Sequence, residues 1–130
     1  MKFGDRIQSA DWKAEKHVPV IEGPDQVVAN QPFQVTVSVG KEIPHPNTTE
    51  HHIRWIALYF QPEGDKFIYE IGRCDFAAHG ESVKGANQGP AYTHPVALFS
   101  FQVNAPGTLI AVSYCNIHGL WESSKEIALA

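Results

Sequence analysis

Apolar and polar residues alternate with a period of two along most of this chain, most strictly over Phe33-Gln34-Val35-Thr36-Val37-Ser38-Val39. A strand with one buried and one wet face reads this way, because successive side chains point to opposite sides of the backbone. The same pattern predicts strands over Val18–Ile21, Ile53–Phe60, Phe67–Asp75, Val96–Val103, Thr108–Cys115 and Trp121–Leu129. Turn-forming runs such as Pro62-Glu63-Gly64-Asp65 and Asn104-Ala105-Pro106-Gly107 separate them, as expected where proline and glycine set the backbone angles. About seven short strands with no helical period predict an all-β, antiparallel β-sandwich. Two longer connections, 41–50 and the glycine-rich 77–91, interrupt the even spacing, and long loops in a small sandwich tend to carry function.

Length and charge narrow the reading. At 130 residues the chain is read as one domain over 1–130, large enough to bury roughly two-thirds of its unfolded surface without disulfide staples. Lys plus Arg number 10 against 14 Asp plus Glu, a net charge of −4. No basic run forms a stripe for phosphates, so no nucleic acid partner is expected. The segment Met1-Lys2-Phe3-Gly4-Asp5-Arg6 carries charges where a signal peptide needs apolar residues, and no window approaches the ~18 apolar residues of a membrane span. A soluble, cytoplasmic protein with no membrane partner is the expectation.

The candidate chemistry gathers in Ser113-Tyr114-Cys115-Asn116-Ile117-His118-Gly119-Leu120, where a predicted strand runs out, with His45-Pro46-Asn47 and His51-His52 upstream. A Cys-x-x-His turn can aim a thiolate and an imidazole at one point, and a mixed sulfur and nitrogen shell suits iron, copper or zinc. Neighbouring side chains on a strand point apart, so only one of His51 and His52 is expected to reach such a metal. Parity alone does not choose between them; by this count His51 shares a face with Ile53 and Trp55, and His52 with Arg54. Pro46 pushes His45 toward an extended backbone, which serves a pre-positioned ligand and a plain Pro-x-Pro turn equally well. His17, beside Glu15 and Lys16, says little by itself, and His79 and His94 read as surface or loop residues. Cys74 has no His or Cys at ligand spacing and reads as structural, since a lone disulfide is not expected in a reducing cytosol.

Three segments together carry a family resemblance: Glu15-Lys16-His17-Val18-Pro19, then His45-Pro46-Asn47 with His51-His52-Ile53, then Cys115-Asn116-Ile117-His118-Gly119. In content and order they resemble the superoxide reductases. Without a Cys-rich N-terminal rubredoxin-like module, the chain resembles the one-iron class, the neelaredoxins. The resemblance implies an immunoglobulin-like sandwich and one iron ion per chain, held by the imidazoles of His17, His45, His51 and His118 with an axial thiolate from Cys115. It thereby selects His51 over His52. It implies reduction of superoxide to hydrogen peroxide, with Glu15 occupying the sixth position of the ferric form and Lys16 as the cation near the open face. A rubredoxin-like electron donor and a homotetrameric assembly are implied as well.

Such a shell suits such a reaction. A ferrous ion with one thiolate and four neutral imidazoles keeps a net positive charge and a vacant octahedral position, which welcomes an anion, and an axial thiolate pushes electron density toward that position. The chain's net charge of −4 repels superoxide, so a local cation matters; focused fields raise on-rates ~10- to 10³-fold, and Lys16 is the residue expected to provide one. Backbone amides between Asn116 and His118 are expected to hydrogen-bond the Cys115 sulfur and tune the site. Two other classes compete. A cupredoxin-like electron-transfer protein wants an axial methionine, where this chain has only Met1. A sandwich with structural zinc would close its metal with Cys115 and three imidazoles.

Overall fold

A computed structural model describes residues 1–130 and resolves the alternating pattern into eight strands. These are β1 (Pro19–Glu22), β2 (Gln26–Val27), β3 (Phe33–Val39), β4 (Ile53–Pro62), β5 (Tyr69–Asp75), β6 (Val96–Phe101), β7 (Gly107–Cys115) and β8 (Gly119–Leu129), preceded by one 3-10 turn at Phe3–Arg6. One sheet has the order β1-β3-β6 and the other β2-β8-β7-β4-β5. No helix is long and apolar enough to cross a membrane.

The two sheets close on a shared apolar core. Val35, Val37 and Val39 of β3, with Ala97 and Phe99 of β6, meet Ile56, Leu58 and Phe60 of β4, Leu109 and Ala111 of β7, and Ile127 of β8. Each large aliphatic side chain buried this way stabilises the fold by ~1.5–3 kcal/mol. Along β7 buried and half-buried positions alternate without a break from Gly107 to Cys115. The strand therefore ends with Cys115 on the core side, fully buried.

The seven expected strands are all present, and the differences have local causes. Phe67 and Ile68 lie outside β5 and are exposed, because the Asp65 carboxylate accepts the Phe67 N–H at 3.0 Å and prolongs the turn. β6 stops at Phe101, and the Val103 carbonyl accepts from Asn30 N–H at 2.8 Å instead of continuing the ladder. The eighth strand, β2, has two residues and pairs in parallel with Ala128 and Leu129 of β8, the one departure from antiparallel pairing among the strands.

A β-bulge corrects the face assignment near His51. On β4, Ile53 pairs with Cys115 and Trp55 with Tyr114, with the register shifting between them. The extra residue, Arg54, puts Ile53 and Ile56 on the core side together, while Trp55 is only half-buried. Ile53 and Trp55 thus do not share a face. Bulges re-aim side chains beside sites of this kind.

Candidate metal centre

The β4–β7 pairing sets two of the candidate ligands side by side. Cys115 ends β7, and its partner Ile53 opens β4 two residues after His51. Beyond Cys115 the chain turns through Asn116–His118 and re-enters at Gly119, whose φ of +80° lies in the left-handed region that glycine tolerates. This tight turn brings His118 back over the cysteine: its N–H donates to Cys115 Sγ at 3.3 Å and its Nδ1 lies 3.8 Å from the same sulfur. The expected amide bond to sulfur is therefore made by His118, whereas Asn116 N–H goes to the His52 carbonyl at 3.2 Å.

His17 and His45 arrive from the other side. His17 immediately precedes Val18 and β1, and its carbonyl accepts from the buried Ser113 hydroxyl at 3.1 Å. His45 sits in the connection from β3 to β4, which folds back sharply at Gly40. There φ is +91° and a Cβ would lie 2.8 Å from the His45 nitrogen, so only glycine fits without strain.

The four rings form a square. Successive centroid separations are 4.9 Å for His17–His45, 4.8 Å for His45–His51, 5.0 Å for His51–His118 and 4.6 Å for His118–His17. The diagonal from His17 to His51 is 6.3 Å. Donor atoms of His17, His45, His51 and Cys115 all lie within 4.8 Å of one another, and His118 Nδ1 is 3.1 Å from His17 Nε2. A first-row ion with bonds of about 2.0–2.3 Å places opposite ligands about 4.0–4.6 Å apart, so this span fits one ion.

The chemistry of the donors fits a cation too. His45 Nδ1–H donates to the Pro46 carbonyl at 2.6 Å, and His17 Nδ1–H to the Glu15 carboxylate at 2.6 Å. Each ring therefore turns a lone pair inward. Nε2 of His45 and of His51 are buried without a hydrogen-bond partner, an arrangement that is costly unless something binds there. Burial holds the His45 imidazole down at about 4, with the neighbouring His17, His51 and Lys16 acting in the same direction against the Pro46 carbonyl. His51 is lowered as well, chiefly by burial and then by His118. Neutral imidazoles are what a metal requires.

Glu15 is half-buried beside this square. Its carboxylate, held below the usual range first by the His17 hydrogen bond, accepts from both the ring and the backbone N–H of His17 and lies outside the donor cluster. Lys16, the next residue, is half-buried, and its charge depresses the proton affinities of Glu15, His45 and His51.

Two features were not foreseen, the burial of His79 and the placing of Trp121. His79, expected at the surface, is 2% exposed, and its ring stacks on His52 with centroids 3.4 Å apart. Its loop folds over the start of β4, where Nε2 meets the Ile53 carbonyl at 3.3 Å. His52 points away from the square, as the choice of His51 over His52 implied, bonding Thr48 through Nδ1 and Arg54 through Nε2. Trp121 stacks on His17 at 5.0 Å and donates its indole N–H to the His118 carbonyl at 3.1 Å, bracing two corners of the square. His94 is exposed, as expected.

Comparison with known proteins agrees with this geometry. The chain is 63% identical over 129 residues to neelaredoxin of Megalodesulfovibrio gigas, covering 99% of each. It is 58% identical over 121 residues to a superoxide reductase of Pyrococcus furiosus, covering 93% of this chain and 95% of that one. Among solved structures, the reduced neelaredoxin of Archaeoglobus fulgidus superposes with a TM-score of 0.88 at 59% identity, over 95% of this chain and 98% of the other. A Thermotoga maritima crystal structure gives 0.98 at 58% identity over 100% and 98%. Residues 9–124 match the family model described as desulfoferrodoxin, and the chain belongs to the desulfoferrodoxin family.

Proposed function

We propose that this chain is a superoxide reductase that holds one iron ion through Nε2 of His17, His45 and His51, Nδ1 of His118 and the thiolate of Cys115. The observation that carries the reading is the square of inward-facing imidazoles with a buried cysteine sulfur in reach. Structural zinc takes four tetrahedral ligands, which leaves a fifth donor idle. Blue copper usually takes an axial methionine, and Met1 is 96% exposed with its sulfur accepting from Arg6. Relatives whose names include superoxide reductase, at 50–60% identity, support the choice of substrate.

Iron held by these five residues would supply one-electron chemistry between its ferrous and ferric states. One superoxide, one electron and two protons give one hydrogen peroxide, so each turnover draws two protons from water or a nearby acid and one electron from an outside carrier of the rubredoxin type. The residues divide the remaining work. Pro46 and Glu15 fix the tautomers of His45 and His17, which aims their lone pairs. The His118 N–H at the Cys115 sulfur withdraws part of the thiolate's charge. Lys16 raises the local potential and draws in the anion against the chain's net charge of −4. Glu15 orients His17 in the arrangement described, and its carboxylate would have to release that ring before it could serve as an added ligand to ferric iron.

We further propose a cytoplasmic homotetramer acting through the single iron-binding domain, 1–130. Exposed Phe3 and Ile68 line one groove with Trp55 and Tyr59, which supports self-association. The activity is tested by following oxidation of reduced rubredoxin under a steady flux of superoxide. One carrier oxidised per superoxide, lost in His51→Ala, is expected; oxidation that persists in that variant would remove this site from the reaction.

A further inference from the structure

The square and its sulfur come from segments that strand pairing alone does not lock together. β4 and β7 are paired only from Ile53 and Cys115 onward; His51 and the Asn116–His118 turn lie beyond the ladder. One side chain crosses that gap. Asn116 Oδ1 accepts from His52 N–H at 2.9 Å, and Asn116 Nδ2 donates to the Glu50 carbonyl at 2.9 Å. The Glu50 carbonyl belongs to the peptide entering His51, and the His52 N–H to the peptide leaving it. A single carboxamide thus grips both peptide groups that flank one imidazole, from a residue covalently next to Cys115. Thr48 holds the same histidine separately: its Oγ1 accepts from His51 N–H at 3.0 Å, and its own N–H donates to the His51 carbonyl at 2.9 Å.

The residue type follows from what is gripped. The group before His51 is an acceptor and the group after it is a donor, and a carboxamide offers both polarities on one plane. Aspartate would set a second oxygen against the Glu50 carbonyl. Glutamine would move the amide outward by one carbon–carbon bond, about 1.5 Å. The backbone bond from Asn116 N–H to the His52 carbonyl survives any substitution except proline, so side-chain variants isolate the carboxamide.

We propose that Asn116 is a positioning residue that fixes the Cys115 sulfur relative to the His51 ring, so that the metal-binding arrangement is set before an ion arrives. It touches neither substrate nor metal and acts through the two ligands. The inference rests on the iron reading above, and the wild-type arm of the test addresses that reading separately. Removing an orienting partner of this kind typically weakens metal affinity 10- to 100-fold.

The experiment compares wild type, Asn116→Ala and Asn116→Asp. It measures iron affinity by competition with a chelator, the thiolate-to-ferric absorption band, and the melting temperature of the metal-free chain. Wild type is expected to take up one iron with such a band; failure there overturns the iron reading and this inference with it. Asn116→Ala is expected to bind iron 10- to 100-fold more weakly, with the band shifted. Asn116→Asp keeps the acceptor for His52 and is expected to lose at least tenfold, which carries the test should the alanine variant not fold. A lowered melting temperature with wild-type iron affinity and an unshifted band would reduce Asn116 to a general structural role and overturn the proposal.

Discussion

Gly40→Ala should damage the metal centre without altering a ligand. The glycine lies where β3 ends and the loop to His45 begins, at φ +91°. A Cβ built there lies 2.8 Å from the His45 nitrogen and 3.4 Å from Pro44 Cα. The left-handed angle costs a residue with a side chain ~1–3 kcal/mol. Ordinary contacts to carbon lie at ~3.5–4.0 Å, so the His45 amide must retreat by about half an ångström or more. His45 carries a buried, unpartnered Nε2, aimed by a 2.6 Å bond one residue away, and such a shift takes its lone pair off target. Gly64→Ala is the control, with φ +78° and no atom within 4 Å of the added carbon. For a chain of this size ~1 kcal/mol corresponds to roughly 3–5 °C in melting temperature. Gly64→Ala should therefore melt several degrees lower with full iron content. Gly40→Ala should fall further and bind iron at least ~10-fold more weakly. Thermal melts with and without iron, together with iron stoichiometry, read both effects. Equal melting and equal iron content in the two variants would refute the reasoning.

Three further outcomes are expected. His52→Ala should keep its iron while losing roughly 2–5 kcal/mol of stability, because its ring is buried against His79, whereas His51→Ala should lose iron; iron loss in His52→Ala would contradict the assignment. Lys16→Ala should capture superoxide more slowly, by a factor on the order of 2–10, with the gap closing as salt rises, and a gap indifferent to ionic strength would argue against steering. In the metal-free chain, His45 stays neutral to about pH 4 when folded but protonates near 6.5 when unfolded. The unfolded state then binds more protons in that window, so stability should fall as pH drops from about 6.5 toward 4. Half-buried His51 and buried His79, also lowered, add the same sign. A urea midpoint that stays flat or rises on acidification would contradict this.

Much of the fold was legible because half-buried strands write their period into the sequence. Phe33–Val39 is predicted and found with the same ends. The two-residue β2 leaves no period to read, and the bulge at Arg54 is a consequence of how β4 and β7 pair. The candidate ligands were legible only in combination: no single histidine stood out, but three segments in order did. Which ring nitrogen faces inward was not legible, since it depends on where Pro46 and Glu15 place their oxygens. His79 was misread because its burial depends on its own loop folding across β4, and neighbouring residues in sequence give no sign of that.

The central claim meets its most direct test in anaerobically reduced, iron-assayed protein given a known pulse of superoxide, with hydrogen peroxide and dioxygen measured together. One peroxide per superoxide, no dioxygen and one iron oxidised per superoxide consumed is the predicted result. One dioxygen for every two superoxides would mean dismutation instead, and consumption no faster than background would contradict a reductase altogether.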